Sequence, residues 1–574
     1  MTRAARPARS AWKGPLPALG GLVLVAVLAT CCVRHGTRTM DEGRGRSGGS
    51  EDRRAEGPPS GSRPSLRPAG IGTNVTGISD WTTQDPFLDV FKRSRRFVSG
   101  TGDTWTDGRE LALNQRHELQ RLEPGQVART VLLTDHGRYP GGQYVLTYRG
   151  EAEFHFDRPV VSRQPGRIVL DVPAPERPED ETALLMNILA VNPDDPIRDM
   201  HVYPPLAFCA DDRLRPCEDD DDCAAGGCTS FEEASRAGEL FRPRFIADLA
   251  PYGMLRFMDW GQTNNSTVRE WDERAKLDDA SYAHAGVPLE RMIELANRSG
   301  AQPWFCIPHL ASDDYVQRFA ELVEAELDPA LPVWIEYSNE VWNGIFHQAR
   351  DLEERGETLG LGEGMEARLR YQGARSAEIF ELVDAVLGTD RVVRVLATQA
   401  DWPELASWVI EGAEGRADAL AVAPYVGLMP GPDEARRVVA GGLAELERRS
   451  REEVLAEMAR GMREHAAIAR RHGLDLVAYE GGQHFLGADE AVHDGALNAL
   501  FDRFNRAPAM GRLYTAMLEQ WVSAGGGWFN HFVDVSRFGQ WGRWGAREFA
   551  GQPRVDAPKY DALLRFRDAH PRGW

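Results

Sequence analysis

The chain has 574 residues, 42% of them hydrophobic, enough for a large core and more than one folded unit. Its 87 acidic side chains outnumber 67 basic ones, and the net charge of -20 opposes the phosphate contacts on which nucleic-acid binding depends. No nucleic-acid partner is expected, and a neutral substrate fits better.

Arg3, Arg6, Arg9 and Lys13 precede an apolar run from Ala18 to Thr30, the layout of an export signal. Cys31 and Cys32 follow Leu28-Ala29-Thr30, which resembles a bacterial lipoprotein cleavage site except that Thr30 stands where Gly, Ala or Ser is usual. Lipid attachment, simple cleavage and an uncleaved anchor all stay open over residues 1–33, although the run is short for a spanning helix. The expected location is outside the cell or on its surface, with membrane attachment through the lipid or anchor. Residues 34–70 are rich in Gly, Ser, Arg and Pro and hold too few large apolar side chains to offset the entropy of ordering, so they read as a flexible linker.

The segment from Ile71 to Trp81 reads as a strand and a loop, ending near residue 85. Residues 86–205 change to short alternating runs such as QYVLTYRG, AEFHF and GRIVLDV, separated by Gly, Pro, Asp and Asn turns. This is a β-rich, sandwich-like module inserted after the first strand. With Trp105 as its one tryptophan, it is expected to support packing rather than grip a flat polysaccharide.

In residues 206–240, Cys209, Cys217, Cys223 and Cys228 crowd together around Asp219–Asp222. Four cysteines at this density in an exported chain suggest two disulfides, whose pairing the sequence leaves open. Zinc on the thiolates or calcium on the aspartates is the competing reading, but the spacing fits no standard pattern, so no metal and no cofactor is expected. Cys306, inside WFCI, reads as a small buried apolar residue.

From residue 241 onward, short apolar strands alternate with amphipathic helices, the signature of a parallel sheet with helical crossovers. Strands are expected at Ile71, Met254, Trp304, Val333, Val392, Ala419, Leu474 and Trp528, with long helical stretches at Pro432 to His472 and Asp489 to Ala524. Eight strands close a (β/α)8 TIM barrel, with chemistry at their C-terminal ends. A doubly wound sheet is the alternative, but no Gly-rich phosphate loop follows its first strand.

Glu340 closes the fourth strand pattern in VWIEYSNEVWN, and Glu480 closes the seventh in LDLVAYEGGQHF. Ser338-Asn339-Glu340 with Glu480 three strands later resembles the clan of retaining glycoside hydrolases on (β/α)8 barrels. That resemblance implies Glu480 as nucleophile, Glu340 as acid/base, Asn339 on the sugar 2-hydroxyl, Tyr425 against the nucleophile, and Arg256 holding the nucleophile ionised. It implies a carbohydrate substrate with β-glycosidic bonds, cleaved by double displacement. Two departures blur the subfamily: Val341 stands where Pro is familiar after Asn-Glu, and Gly481-Gly482 stands where an aromatic and Gly are common.

Trp260, Trp342, Trp528, Trp541 and Trp544 fall near expected strand ends and are candidate sugar-stacking rings, Trp528 first because the clan often ends its eighth strand in a substrate-facing Trp. His309, His484, Asp259, Asn264 and Asn265 are candidate hydroxyl contacts, with structural roles as the alternative. Glu336 is expected to satisfy Arg256 or Arg394 inside the barrel. MDWGQTNNS and EYSNEVWN also resemble runs in secreted bacterial proteins labelled cellulose-binding, so a non-catalytic carbohydrate-binding barrel is the alternative function. An adhesive scaffold is the third. Sugar identity, endo or exo action and oligomeric state are not legible.

Overall fold

The computed structural model of the chain describes residues 70–102, 104–135, 139–174 and 182–570. The export signal, Cys31, Cys32 and all of the linker before Gly70 lie outside the described residues. Among the described residues, no helix is long and apolar enough to cross a membrane.

Eight parallel strands close into a barrel: β1 (Ile71–Asn74), β2 (Met254–Arg256), β3 (Gln302–Ile307), β4 (Val333–Tyr337), β5 (Val392–Ala397), β6 (Ala419–Val422), β7 (Asp475–Ala478) and β8 (Gly526–His531). Closure comes from β8 pairing with β1, Ile71 opposite Phe529. These strands read as continuous apolar runs because a parallel sheet sheathed in helices is buried on both faces. Alternate residues divide accordingly. Met254, Trp304, Trp334, Val393, Ala419, Ala421 and Val477 fill the interior, while Leu255, Phe305, Ile335, Leu396, Leu420 and Leu476 face the helices. Trp304 and Trp334 stack at 5.3 Å between ring centroids, opposite the small Ala419 and Ala421. Gly72 is required inside β1: a Cβ there would come within 1.8 Å of the Asn530 side chain.

The helices follow local rules. In Asp313–Glu326, Ser312 caps the first turn by accepting from the Tyr315 N–H, and Tyr315, Val316, Phe319, Ala320 and Val323 form the buried stripe. Each such large side chain contributes roughly 1.5–3 kcal/mol on burial. The expected helix from Pro432 to His472 is two helices, Pro432–Arg449 and Leu455–Arg471, joined through a π-turn at Ser450–Val454, with Gly442 at φ 64° breaking the regular geometry inside the first. Similarly, Pro508 divides the stretch after Asp489 into Gly495–Arg506 and Pro508–Ala524, since its ring cannot continue the preceding helix. Two short strands, Tyr425–Val426 and Gly482–Gln483, pair above β6 and β7 and extend the wall past the barrel rim.

Between β1 and β2 lie two four-stranded antiparallel sheets. One orders Val98–Gly100, Val127–Asp135, Thr182–Val191 and Ala152–Phe156; the other orders Arg198–Tyr203, Gly142–Arg149, Arg167–Val172 and Val160–Gln164. They share a core of their own that includes Leu132, Tyr144, Leu146, Phe154, Leu170 and Met186. Lys92 donates to the Asp279 carbonyl at 2.5 Å and Ser281 to the Ser94 carbonyl at 2.7 Å, tying the module to the barrel loops. The cysteine-rich segment is a hairpin of Ala207–Cys209 against Cys228–Ser230, fastened by disulfides Cys209–Cys223 and Cys217–Cys228. The disulfides occupy all four sulfurs, which removes the thiolates a zinc site would need.

Candidate active site

Within β4, Trp334 and Glu336 point inward, and beyond Tyr337 the chain leaves the strand in an unusual turn. Ser338 and Glu340 both have positive φ, 63° and 41°, a region that side-chain-bearing residues rarely enter and that is held only where surroundings enforce it. The enforcing contacts are the Ser338 N–H on the Ile307 carbonyl at 2.8 Å and the Asn343 N–H on the Glu340 carbonyl at 2.8 Å. This turn buries Asn339 and Glu340 at the barrel mouth, with Glu340 only 3% exposed.

Glu480 follows β7 and is 4% exposed. The glycines after it answer to crowding. A Cβ at Gly481 would meet the Phe529 ring at 2.7 Å, and Gly482, at φ 138°, would bring one to 2.8 Å from the Tyr514 hydroxyl. An aromatic ring has no space here, which accounts for the departure from the clan's usual pattern.

Arg256, fully buried at the end of β2, is the hub. Its guanidinium donates to Glu336 at 2.8 to 3.1 Å, to the Asn339 Oδ1 at 2.7 Å and to the Asn74 Oδ1 at 3.0 Å, and it reaches the Glu480 Oε2 at 3.5 Å. Glu336 also accepts from the Trp304 indole at 2.8 Å. Arg394, the other partner considered for Glu336, instead pairs with Asp384 and Asp418. Tyr425 donates its hydroxyl to Glu480 at 3.1 Å; Tyr479 and Asn343 donate to Glu340 at 3.3 and 3.1 Å.

Burial pushes the Glu340 carboxyl up to about 7, against the pull of Asn343, Tyr479 and the Arg256 charge. Burial also raises Glu480 well above the ordinary range, the Glu340 charge adds to this, and Arg256 and Tyr425 oppose it. Each charge disfavours the other, so the pair retains a proton near neutral pH. Burial alone favours that proton on Glu480 at least as strongly as on Glu340; the contact with the Arg256 guanidinium favours the negative charge on Glu480.

Other expected residues divide. Tyr425, Trp342 and His484 line a cavity of about 870 Å³ beside the carboxyl pair. Burial lowers the His484 pKa to about 4, leaving it neutral, with its ring beside Tyr425 and Trp544. Asn264 and Asn265 are engaged internally: Asn264 accepts from Asn339 at 3.0 Å and from Gln348 at 2.8 Å, and Asn265 accepts from the His347 N–H at 2.8 Å. Asp259 has its pKa pushed up to about 6 by burial. Trp541 packs against His493.

Three assignments need correction. Trp528 lies near the floor, not the rim, because β8 runs on to His531; at 3% exposure its ring fills the space above Gly70. Trp260 is fully buried outside the barrel among Phe87, Phe241, Phe245 and Phe257, with its N–H on the Thr76 carbonyl, so it offers no face to a sugar. His309 is buried against Asp351 at 3.0 Å, and Tyr337 donates to its carbonyl, a packing role beneath the helix His347–Thr358. Asn74, Asn343, Tyr479 and Gln348 went unforeseen. Only Asn74 left a trace, as an amide closing an apolar strand pattern.

No protein-family model matches the chain. No curated protein sequence matches it either. Among solved structures it is similar to a family GH51 arabinofuranosidase from Xanthomonas axonopodis pv. citri, at 13% identity over 51% of this chain and 60% of that one, with a TM-score of 0.33. It is also similar to a modular endo-β-1,4-mannanase from Cellulomonas fimi, at 14% identity over 49% of this chain and 57% of that one, TM-score 0.29. A third is a GH5-4 broad-specificity endoglucanase from an uncultured bacterium, at 12% identity over 57% of this chain and 83% of that one, TM-score 0.32. These neighbours are glycoside hydrolases, and the chain spans less than two thirds of the first two. Such likeness concerns the barrel fold alone.

Proposed function

We propose that the protein is a glycoside hydrolase cleaving β-glycosidic bonds of a polysaccharide or oligosaccharide by retaining double displacement. The observation that carries this is the pair of buried carboxyls, Glu340 after β4 and Glu480 after β7, which act on each other's charge at the mouth of a closed barrel. Glu480 attacks the anomeric carbon while Glu340 gives its proton to the departing oxygen; Glu340, now a base, then activates the water that cleaves the glycosyl ester. A pKa near 7 keeps Glu340 protonated at neutral pH, as the first step requires. Arg256 and the Tyr425 hydroxyl hold the Glu480 carboxylate, and Asn339, fixed by Arg256 and Asn264, has an amide hydrogen left for the sugar 2-hydroxyl.

Export to the cell exterior or surface belongs to the same reading. It is supported by the charged and apolar leader and by two disulfides, which persist in oxidising compartments. The test is hydrolysis of a polysaccharide panel by the parent, Glu340→Gln and Glu480→Gln, with the first product's anomer read by NMR. The reading requires β-anomer first from the parent and loss of turnover in both variants; undiminished hydrolysis by both would refute it.

A further inference from the structure

The cavity beside the carboxyl pair has a composition that the reaction alone does not explain. Its wall comes from the loops after β4, β5, β6 and β7 and from the helix Leu455–Arg471. Asn343, which donates to Glu340, and Tyr425, which donates to Glu480, both line it. Four of the chain's 13 methionines, Met365, Met429, Met458 and Met462, line this one space, joined by Trp342 and Trp402. Thioethers adapt to flat apolar guests and make favourable contacts with aromatic rings. Trp402 is 51% exposed, a large apolar ring left facing water.

Few polar atoms are on offer. His484 Nε2, Gln399 Oε1 and Trp342 Nε1 are buried, belong to lining residues and have no hydrogen-bond partner among the described residues. Asp401 and Glu457 also line the cavity but are exposed to solvent. A sugar unit carries several hydroxyls, each costly to bury without a partner, whereas a flat ring with one or two oxygens would satisfy such a set. In double displacement the nucleophile and the departing oxygen occupy opposite faces of the anomeric carbon, so the leaving group lies on the proton donor's side. The wall of this cavity begins at Trp342, two residues after Glu340.

We infer that this cavity receives the leaving group and that the leaving group is an aromatic aglycone with few hydroxyls, as in aryl and phenolic glycosides, rather than another sugar. The inference rests on the glycosidase reading for its direction, but its test does not need turnover. Calorimetric titration of the protein with 2-naphthol and with cellobiose should show naphthol binding at least about tenfold more tightly, and Trp402→Ala should weaken naphthol by about tenfold while leaving cellobiose unchanged. Trp402 is half exposed, so its replacement leaves the fold intact; circular dichroism checks this. Cellobiose binding as tightly as naphthol, or naphthol binding indifferent to both Trp402→Ala and Met429→Gln, overturns the inference. Glycan hydrolysis without naphthol binding removes this inference and leaves the proposed activity standing. Naphthol binding in a protein that cleaves no glycoside removes the activity but keeps the aryl site.

Discussion

The floor and the mouth of this barrel are built on opposite rules. Below, Trp334, Trp528, Met254 and Val393 fill the interior with apolar volume, and the Trp334 indole N–H is satisfied by Gln302 at 2.8 Å. Above, within one residue of the strand ends, the interior turns ionic: Arg256, Glu336, Glu340 and Glu480 are all buried, and the backbone enters strained conformations at Ser338 and Glu340. Buried charge and strain do not favour folding. Their concentration at one end shows where stability yields to chemistry.

The comparison is tested most severely by separating the two properties. Glu480→Gln is expected to lower kcat/KM by on the order of 10⁴-fold while the thermal midpoint holds or rises, because a buried ionisable group is lost. A variant losing stability in step with activity would break the contrast. At the floor, Trp334→Ala should cost about 3–5 kcal/mol in urea unfolding through its cavity and the unpaired Gln302, with kcat per folded molecule little changed. Further out, Cys217→Ser with Cys228→Ser opens one loop of the hairpin and should cost about 2–3 kcal/mol, seen as faster proteolysis between residues 209 and 228, with kcat/KM unaltered.

The smallest expected effect sharpens the account of the mouth. Activity should fall as pH rises through about 7, where Glu340 loses the proton it must donate. The Tyr479 hydroxyl stabilises the ionised form and pulls this pKa down, so Tyr479→Phe should move the alkaline limb upward, by less than about one pH unit. A downward move in the pH profile would contradict the assignment.

The barrel was legible because strands buried on both faces read as apolar runs, and Glu340 and Glu480 stood out as charges closing two of them. What the sequence does not carry is where a strand stops relative to its neighbours. Trp528 looks like a strand-end residue by itself, and only its register against β1 sends it to the floor. Trp260 similarly could be a rim ring or a core ring, and the choice was made by Phe87 and Phe241, far away in sequence. Asn343 and Tyr479 matter through the turns that aim them, and no local pattern announces those turns. The break at Gly442 was more readable, since paired glycines in a helical stretch weaken it.

The central claim is that Glu480 becomes covalently bonded to the sugar. Incubating the protein with 2-deoxy-2-fluoro analogues of whichever glycoside it hydrolyses, followed by peptide mass spectrometry, tests it directly. The account predicts one added glycosyl unit per chain, carried by the peptide containing Glu480 and absent in Glu480→Gln. A label on any other residue, or rapid cleavage with no covalent adduct at all, would contradict it.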